Sequence, residues 1–123
     1  MSVDILIVDD SAAIRKILQR VLKQAEVPIG KIYEAGDGLE ALQTLRAESV
    51  NLILSDINMP NMDGLQLLGH VKADARLAHV PIIMITTEGG QAKVMEADQL
   101  GAAGYVRKPF TADQIKEKLI GLF

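Results

Sequence analysis

The sequence predicts an α/β fold, a doubly wound five-stranded parallel sheet with helices on both faces. Three observations predict it. Short apolar runs alternate with longer stretches of helical period, the pattern of a parallel sheet covered on both sides. There are five such strand–helix pairs, whereas the closed eight-unit barrel needs about twice this length. The 123 residues suffice for one domain with a substantial core and not for two ordinary ones, so a single domain over residues 1–123 is expected.

The elements follow in order. Ile5-Leu6-Ile7-Val8 is a continuous apolar run, the mark of a strand buried on both faces. Residues 11–26 carry Ile14, Ile17, Leu18, Val21 and Leu22 at the i, i+3, i+4, i+7, i+8 spacing of an amphipathic helix, which Pro28 ends. A shorter strand is expected over 31–35. A helix over 38–47 sets Leu39, Leu42 and Leu45 on one side. The third strand covers 52–55 and a helix 65–72. PIIMIT at 81–86 is the fourth strand. Residues 91–100 form a weaker helix, with Val94, Met95 and Leu100 as a thin stripe. The fifth strand is short, 105–107. Thr111 opens the last helix, where T-A-D-Q fits a capping box with Gln114 reaching back. Right-handed crossovers then give strand order 2-1-3-4-5, the flavodoxin-like arrangement, with ligands expected at the carboxyl ends of the strands.

Composition removes several function classes. The net charge is −3 and no Lys/Arg stripe stands out, which argues against nucleic acid as a partner. With no cysteine, disulfides, CxxC redox chemistry and cysteine zinc sites are excluded. The start, MSVDILIVDD, has no basic segment ahead of an apolar one, and no apolar run reaches membrane-spanning length. A cytoplasmic protein without membrane insertion is expected. IKEKLIGLF still reads as structure, so no tail is expected beyond it.

The strand ends carry the chemistry. Strand 1 runs into Asp9-Asp10, strand 3 into Asp56, strand 4 into Thr86-Thr87, and strand 5 into Lys108-Pro109. The predicted order brings three carboxylates, a hydroxyl and an ammonium to one edge. Three close carboxylates repel one another. Lys108 supplies one compensating charge and a hard divalent cation two more. Mg²⁺ suits oxygen ligands, and no His or Cys stands at these ends to favour zinc or copper. A metal, a lysine and a hydroxyl are the equipment for stabilising a phosphoryl group in transfer, and a carboxylate such as Asp56 can form an acyl phosphate.

Each feature also has a plainer reading. Asp9-Asp10 can cap the first helix, Asp56 can form a turn, and Lys108 can be a solvated surface charge. Tyr105 can be a partly buried packing residue, and Asp63-Gly64 reads as turn and helix entry. His70 and His79 lack metal-ligand spacing and read as surface residues. Met59, Met62, Met84 and Met95 read as core or loop packing. The agreement of all the strand ends favours the functional reading.

DD at 9–10, SDINMPNMDG at 55–64, TT at 86–87 and YVRKPF at 105–110 together resemble a response-regulator receiver domain of the single-domain chemotaxis (CheY-like) type. The resemblance covers essentially all 123 residues. It implies a phosphoacceptor of two-component signalling, not an enzyme in its own right, that assists its own phosphorylation and dephosphorylation. Asp56 would accept a phosphoryl group from a histidine kinase. Asp10, Asp56 and the backbone carbonyl of Asn58 would hold Mg²⁺, for which Mn²⁺ is a plausible substitute, with Asp9 acting mainly through water. Thr86 and Lys108 would contact the phosphoryl oxygens, Thr86 and Tyr105 would move on activation, and Lys108–Pro109 would be a cis peptide. Asn58 and Glu88 would flank the attacking water and tune dephosphorylation, which is expected to be fast. The face formed by the fourth helix, fifth strand and last helix would bind a downstream protein, with a phosphatase as a further partner and a monomer before phosphorylation. Relatives that bind a flagellar motor protein usually carry lysines where this chain has Gly90 and Gln91. The paired glycines 89 and 90 suggest a mobile loop ahead of the fourth helix.

Two other classes share some of these features. A Mg²⁺-dependent phosphatase of the haloacid-dehalogenase type carries a second Asp two residues after its nucleophile; here that position is Asn58, which cannot transfer a proton. A flavin module on this topology needs a phosphate-cradling loop after strand 1, where Asp9-Asp10-Ser11 would repel a phosphate.

Overall fold

The computed structural model describes residues 2–24, 28–87 and 90–122. Five strands alternate with five helices: β1 Val3–Val8, α1 Ala12–Gln24, β2 Ile29–Ala35, α2 Gly38–Ala47, β3 Leu52–Ser55, α3 Gly64–Ala73, β4 Ile82–Thr86, α4 Gln91–Gln99, β5 Gly104–Arg107 and α5 Ala112–Leu122. All pairings are parallel and the order is β2-β1-β3-β4-β5, as expected.

Alternating side chains divide the strands between two cores. Leu6, Val8, Ile53, Ile82 and Met84 face α2, α3 and α4, and meet Ala41, Leu45, Leu67, Leu68, Val71 and Ala97. Ile5, Ile7, Leu52, Leu54, Ile83 and Ile85 face α1 and α5, and meet Leu18, Leu22, Ile115 and Leu119. Each large side chain so buried contributes roughly 1.5–3 kcal/mol, which is why the central strands carry continuous apolar runs at Ile5–Val8, Leu52–Leu54 and Ile82–Ile85.

Several boundaries and faces differ from expectation. β2 begins at Ile29, two residues early, because Val3 pairs with Ile29 ahead of a register shift, where Asp4 Oδ1 accepts the Lys31 N–H at 2.8 Å. β4 begins at Ile82, since Pro81 has no N–H to donate, though its carbonyl still accepts from Ile53 at 3.0 Å. α1 starts at Ala12, with the Ser11 hydroxyl accepting the Ile14 N–H at 3.3 Å; its expected end at 25–26 lies outside the described residues. α4 stops at Gln99. In α1, Ile17 is exposed while Leu18 and Leu22 are buried. In α2, Leu39 is exposed, and the buried face is Gly38, Ala41 and Leu45 instead. In α4, Met95 is exposed and only Ala97 is buried, and Leu100 just past its end is exposed too, so the expected stripe does not form and Met95 is not a core residue. The α5 capping box is present: the Thr111 N–H donates to Gln114 Oε1 at 2.9 Å and the Gln114 N–H to Thr111 Oγ1 at 3.2 Å. His70 and His79 are exposed. Among the described residues, no helix is long and apolar enough to cross a membrane.

Candidate functional site

The sheet register builds the site. Val8 lies opposite Ser55, so the residues that follow, Asp9 and Asp56, leave the sheet side by side, and the Asp56 N–H donates to the Val8 carbonyl at 2.9 Å. Thr86 pairs with Arg107, so Lys108 follows at once, its N–H donating to the Thr86 carbonyl at 2.8 Å. Strands that end together thus present their next residues together.

Asp9 and Asp56 are 2% and 8% exposed, while Asp10 is open to solvent. One oxygen from each of the three carboxylates lies within 4.8 Å of the others. Lys108 Nζ donates to Asp9 Oδ2 at 2.6 Å and to Asp56 Oδ2 at 3.3 Å. Its side chain is largely buried, so it is not a solvated surface charge. Asp56 Oδ1 accepts the Ile57 N–H at 2.7 Å, and Asp9 Oδ1 accepts the Ser11 N–H at 2.9 Å, so Asp9 also shapes the entry to α1. In their ionised forms, three carboxylates against one ammonium leave two negative charges uncompensated. The donors are all oxygens. That set fits a hard divalent cation of the Mg²⁺ or Mn²⁺ kind rather than zinc or copper.

The remaining predicted residues surround this cluster. Asn58 is exposed on the β3–α3 turn. Thr86 is fully buried at the end of β4. The Lys108–Pro109 peptide is cis. Tyr105 is half-buried; it packs against the α2–α3–α4 core and lines a hollow of about 240 Å³ with Val94, Met95 and Asp98. Glu88 lies outside the described residues.

Three further residues shape the site: Arg15 and Asp37, not singled out in the sequence, and Gly64, expected only at a turn and helix entry. Arg15 reaches from α1 to donate to the Asp9 carbonyl while its Nε pairs with Glu34 at 3.0 Å. Gly64 sits so close to Asp56 that a Cβ there would fall 2.0 Å from the Asp56 carbonyl oxygen. Its role therefore exceeds helix entry, although Asp63 does cap α3 in a full capping box with Gln66. Asp37 is buried, and its side chain takes the Glu40 N–H at 2.9 Å and Asn61 Nδ2 at 2.7 Å. Those two donors, the backbone one first, hold its carboxyl below the usual aspartate range. A D-G-L-E signature at 37–40 marks the cap in the sequence; nothing local marks the bond to Asn61.

Comparison with known proteins agrees with this geometry. Residues 5–120 match the family model described as the response regulator receiver domain. Chemotaxis protein CheY-3 of Vibrio cholerae serotype O1 is 42% identical over 119 residues, 97% of this chain and 90% of that protein. The structure of Vibrio cholerae CheY4 superposes with a TM-score of 0.88 at 32% identity, covering 100% of both chains. The Mn²⁺-bound form of response regulator Rcp1 is similar at a TM-score of 0.81 and 28% identity, covering 97% of this chain and 90% of that one. With the carboxylates, Thr86 and Lys108 all inside the matched segment, the chain belongs to the response-regulator receiver-domain family of signalling proteins.

Proposed function

We propose that this receiver, expected to occupy residues 1–123, takes a phosphoryl group from a histidine kinase onto Asp56 and uses the acyl phosphate to switch its affinity for a downstream protein. The observation that supports this most directly is the convergence of Asp9, Asp10 and Asp56 around the Lys108 ammonium.

A carboxylate oxygen of Asp56 attacks phosphorus in line. The O–P bond forms as the P–N bond of the phosphohistidine breaks. The electron pair returns to the ring nitrogen, and the ring leaves as neutral imidazole after taking a proton from water at its other nitrogen. Asp10, Asp56 and the Asn58 carbonyl would hold Mg²⁺, or Mn²⁺ in its place, with Asp9 acting through water; when bound, the ion would offset the charge of the carboxylates and the incoming phosphoryl oxygens. Lys108 holds Asp9 and Asp56 together before transfer and contacts a phosphoryl oxygen after it, and Thr86 donates to another. Water later attacks phosphorus, releasing inorganic phosphate and restoring the Asp56 carboxylate, with Asn58 and Glu88 setting the rate.

The readout is proposed at α4, β5 and α5. A phosphoryl group favours one of two packings only by binding it better. The drawing-in of Thr86, with Tyr105 following from the hollow beside α4, provides that difference. The names of the chemotaxis relatives support chemotaxis as the setting; the reading further takes the protein to be cytoplasmic, monomeric before phosphorylation and served by a phosphatase.

The test is intact-protein mass after incubation with acetyl phosphate and Mg²⁺, beside Asp56→Asn and a chelator control. One added phosphoryl group, absent from both controls, is expected. No adduct even with rapid quenching and a histidine kinase donor would refute the reading.

A further inference from the structure

The turn that follows Asp56 is tied down at a point far from the carboxylate cluster in sequence. Asp37, the N-cap of α2, uses its two oxygens for different purposes. Oδ1 accepts the Glu40 N–H at 2.9 Å, which is the ordinary cap bond. Oδ2 accepts Asn61 Nδ2 at 2.7 Å, which caps nothing. Asn61 has φ +66, a left-handed conformation that Asn tolerates better than most residues and that turns its side chain onto α2. A second bond runs beside it, from the Gly38 N–H to the Met62 carbonyl at 3.1 Å. The approach is so close that a Cβ on Gly38 would lie 2.6 Å from Met62 Cγ and 2.9 Å from its carbonyl oxygen. At the other end, the Gly64 N–H donates to the Ile57 carbonyl at 2.8 Å. Residues 58–61 are thus held from both sides. Asn58, Pro60 and Asn61 are exposed, so packing fixes them little, while Met59 and Met62 anchor the turn from beneath.

We propose that Asp37 and Asn61 are positioning residues for the cation site: their bond holds the β3–α3 turn in the conformation that aims the Asn58 carbonyl. This rests on the functional reading above. A turn free to sample other conformations binds the cation only in the competent fraction, so the apparent affinity falls by that fraction. The charged bond between Asp37 and Asn61 is short and excludes most solvent on the Asp37 side, as suits a fixed latch.

The cap and the latch separate by substitution. Asp37→Ser keeps a good N-cap but is too short to reach Asn61. Asn61→Gly keeps the left-handed backbone and loses the side chain. Two readouts apply to the full chain. In the metal-free protein, amide hydrogen exchange over 58–63 should quicken in both variants while exchange in the middle of α2 stays unchanged. In calorimetric titration with Mg²⁺ alone, the Kd should rise about tenfold in either variant, the lower end of what losing an outer partner costs a metal site. In the Asp37→Ser background, the further substitution Asn61→Gly should add far less than it does alone, because the shared bond is already gone.

An Mg²⁺ affinity equal to wild type in both variants overturns the proposal, as does full additivity of the two. Where Asp37→Ser loses helix content on circular dichroism, Asn61→Gly decides, since it leaves the α2 cap untouched. A wild-type chain that shows no Mg²⁺ binding at all overturns the functional reading itself, and the latch with it; a wild type that binds and variants that bind equally well overturn only the latch.

Discussion

α3 and α4 are nearly equal in length and lie on the same face of the sheet, yet they are held in opposite ways. α3 buries Gly64, Leu65, Leu67, Leu68 and Val71, and its first turn is closed by the reciprocal Asp63–Gln66 bonds. α4 buries Ala97 alone, starts at Gly90 with no side-chain cap, and leaves Met95 about half exposed. The difference follows the chemistry. α3 begins at Gly64, pressed against the Asp56 carbonyl. α4 borders the hollow that Tyr105 lines. In the proposed switch, the element that moves is drawn from the weakly held end of the molecule, and the one that positions is drawn from the other.

The largest test of that contrast pairs two apolar truncations. Leu67→Ala removes a side chain with no exposed surface and should cost about 2–5 kcal/mol. Met95→Ala removes one that is 52% exposed and should change stability by less than about 0.5 kcal/mol. Urea denaturation measures both. Similar losses would mean that α4 is held as firmly as α3.

Within α3 itself, glycines divide the helix into a part that serves the site and a part that does not. Gly64→Ala puts a methyl group against the Asp56 carbonyl and within 2.7 Å of Met84 Cε, which should cost roughly 1–3 kcal/mol and slow phosphorylation of Asp56. Gly69→Ala, with nothing within 4 Å of its new Cβ, should gain about 0.5–1 kcal/mol and leave phosphorylation unchanged. A harmless Gly64→Ala would show that the start of α3 can retreat from the acceptor.

Asp37→Ala should cost about 1–2 kcal/mol near neutral pH through loss of the cap. Its folded carboxyl titrates below the usual range because the Glu40 N–H and Asn61 favour the ionised form. The stabilisation is therefore complete above about pH 4, the unfolded value, and disappears as pH falls through the lower folded value. The gap between wild type and Asp37→Ala should close over that acid range in thermal melts. A gap that stays constant to pH 2 would mean that the carboxylate charge contributes nothing to the cap.

How much of this was legible in the sequence depends on the distance over which each feature is specified. Strand order and the meeting of Asp9, Asp56 and Lys108 were legible because parallel strands of known order end at one edge. The Thr111–Gln114 box was legible because it spans four residues. Ile17, Leu39 and Met95 were assigned to buried stripes and are exposed, because a helical period identifies an apolar arc and not the portion of it that a neighbour covers. The tightness at Gly64 and the Asp37–Asn61 bond were not legible, since both depend on how closely two separate segments approach. The four methionines expected in packing divide likewise: Met84 is buried, Met59 and Met62 pack beneath the turn, and Met95 is exposed.

The most direct probe of α4 is a small stabilising change at its N-cap. Gly90 has φ −67 and ψ 138, a conformation open to any residue, and nothing lies within 4 Å of an added Cβ. Gly90→Asp should therefore fit without strain. It supplies the missing acceptor for the first-turn N–H groups, places a negative charge at the positive end of the helix, and restricts the unfolded chain. Together these should add about 0.5–1 kcal/mol. The gain belongs to α4 alone if the helix opens independently of the rest of the fold. Amide exchange should then slow in the first half of α4 and stay unchanged in α3. Equal slowing in both helices would show that they open as one unit, and the contrast between a rigid positioning helix and a loosely held responsive one would be lost.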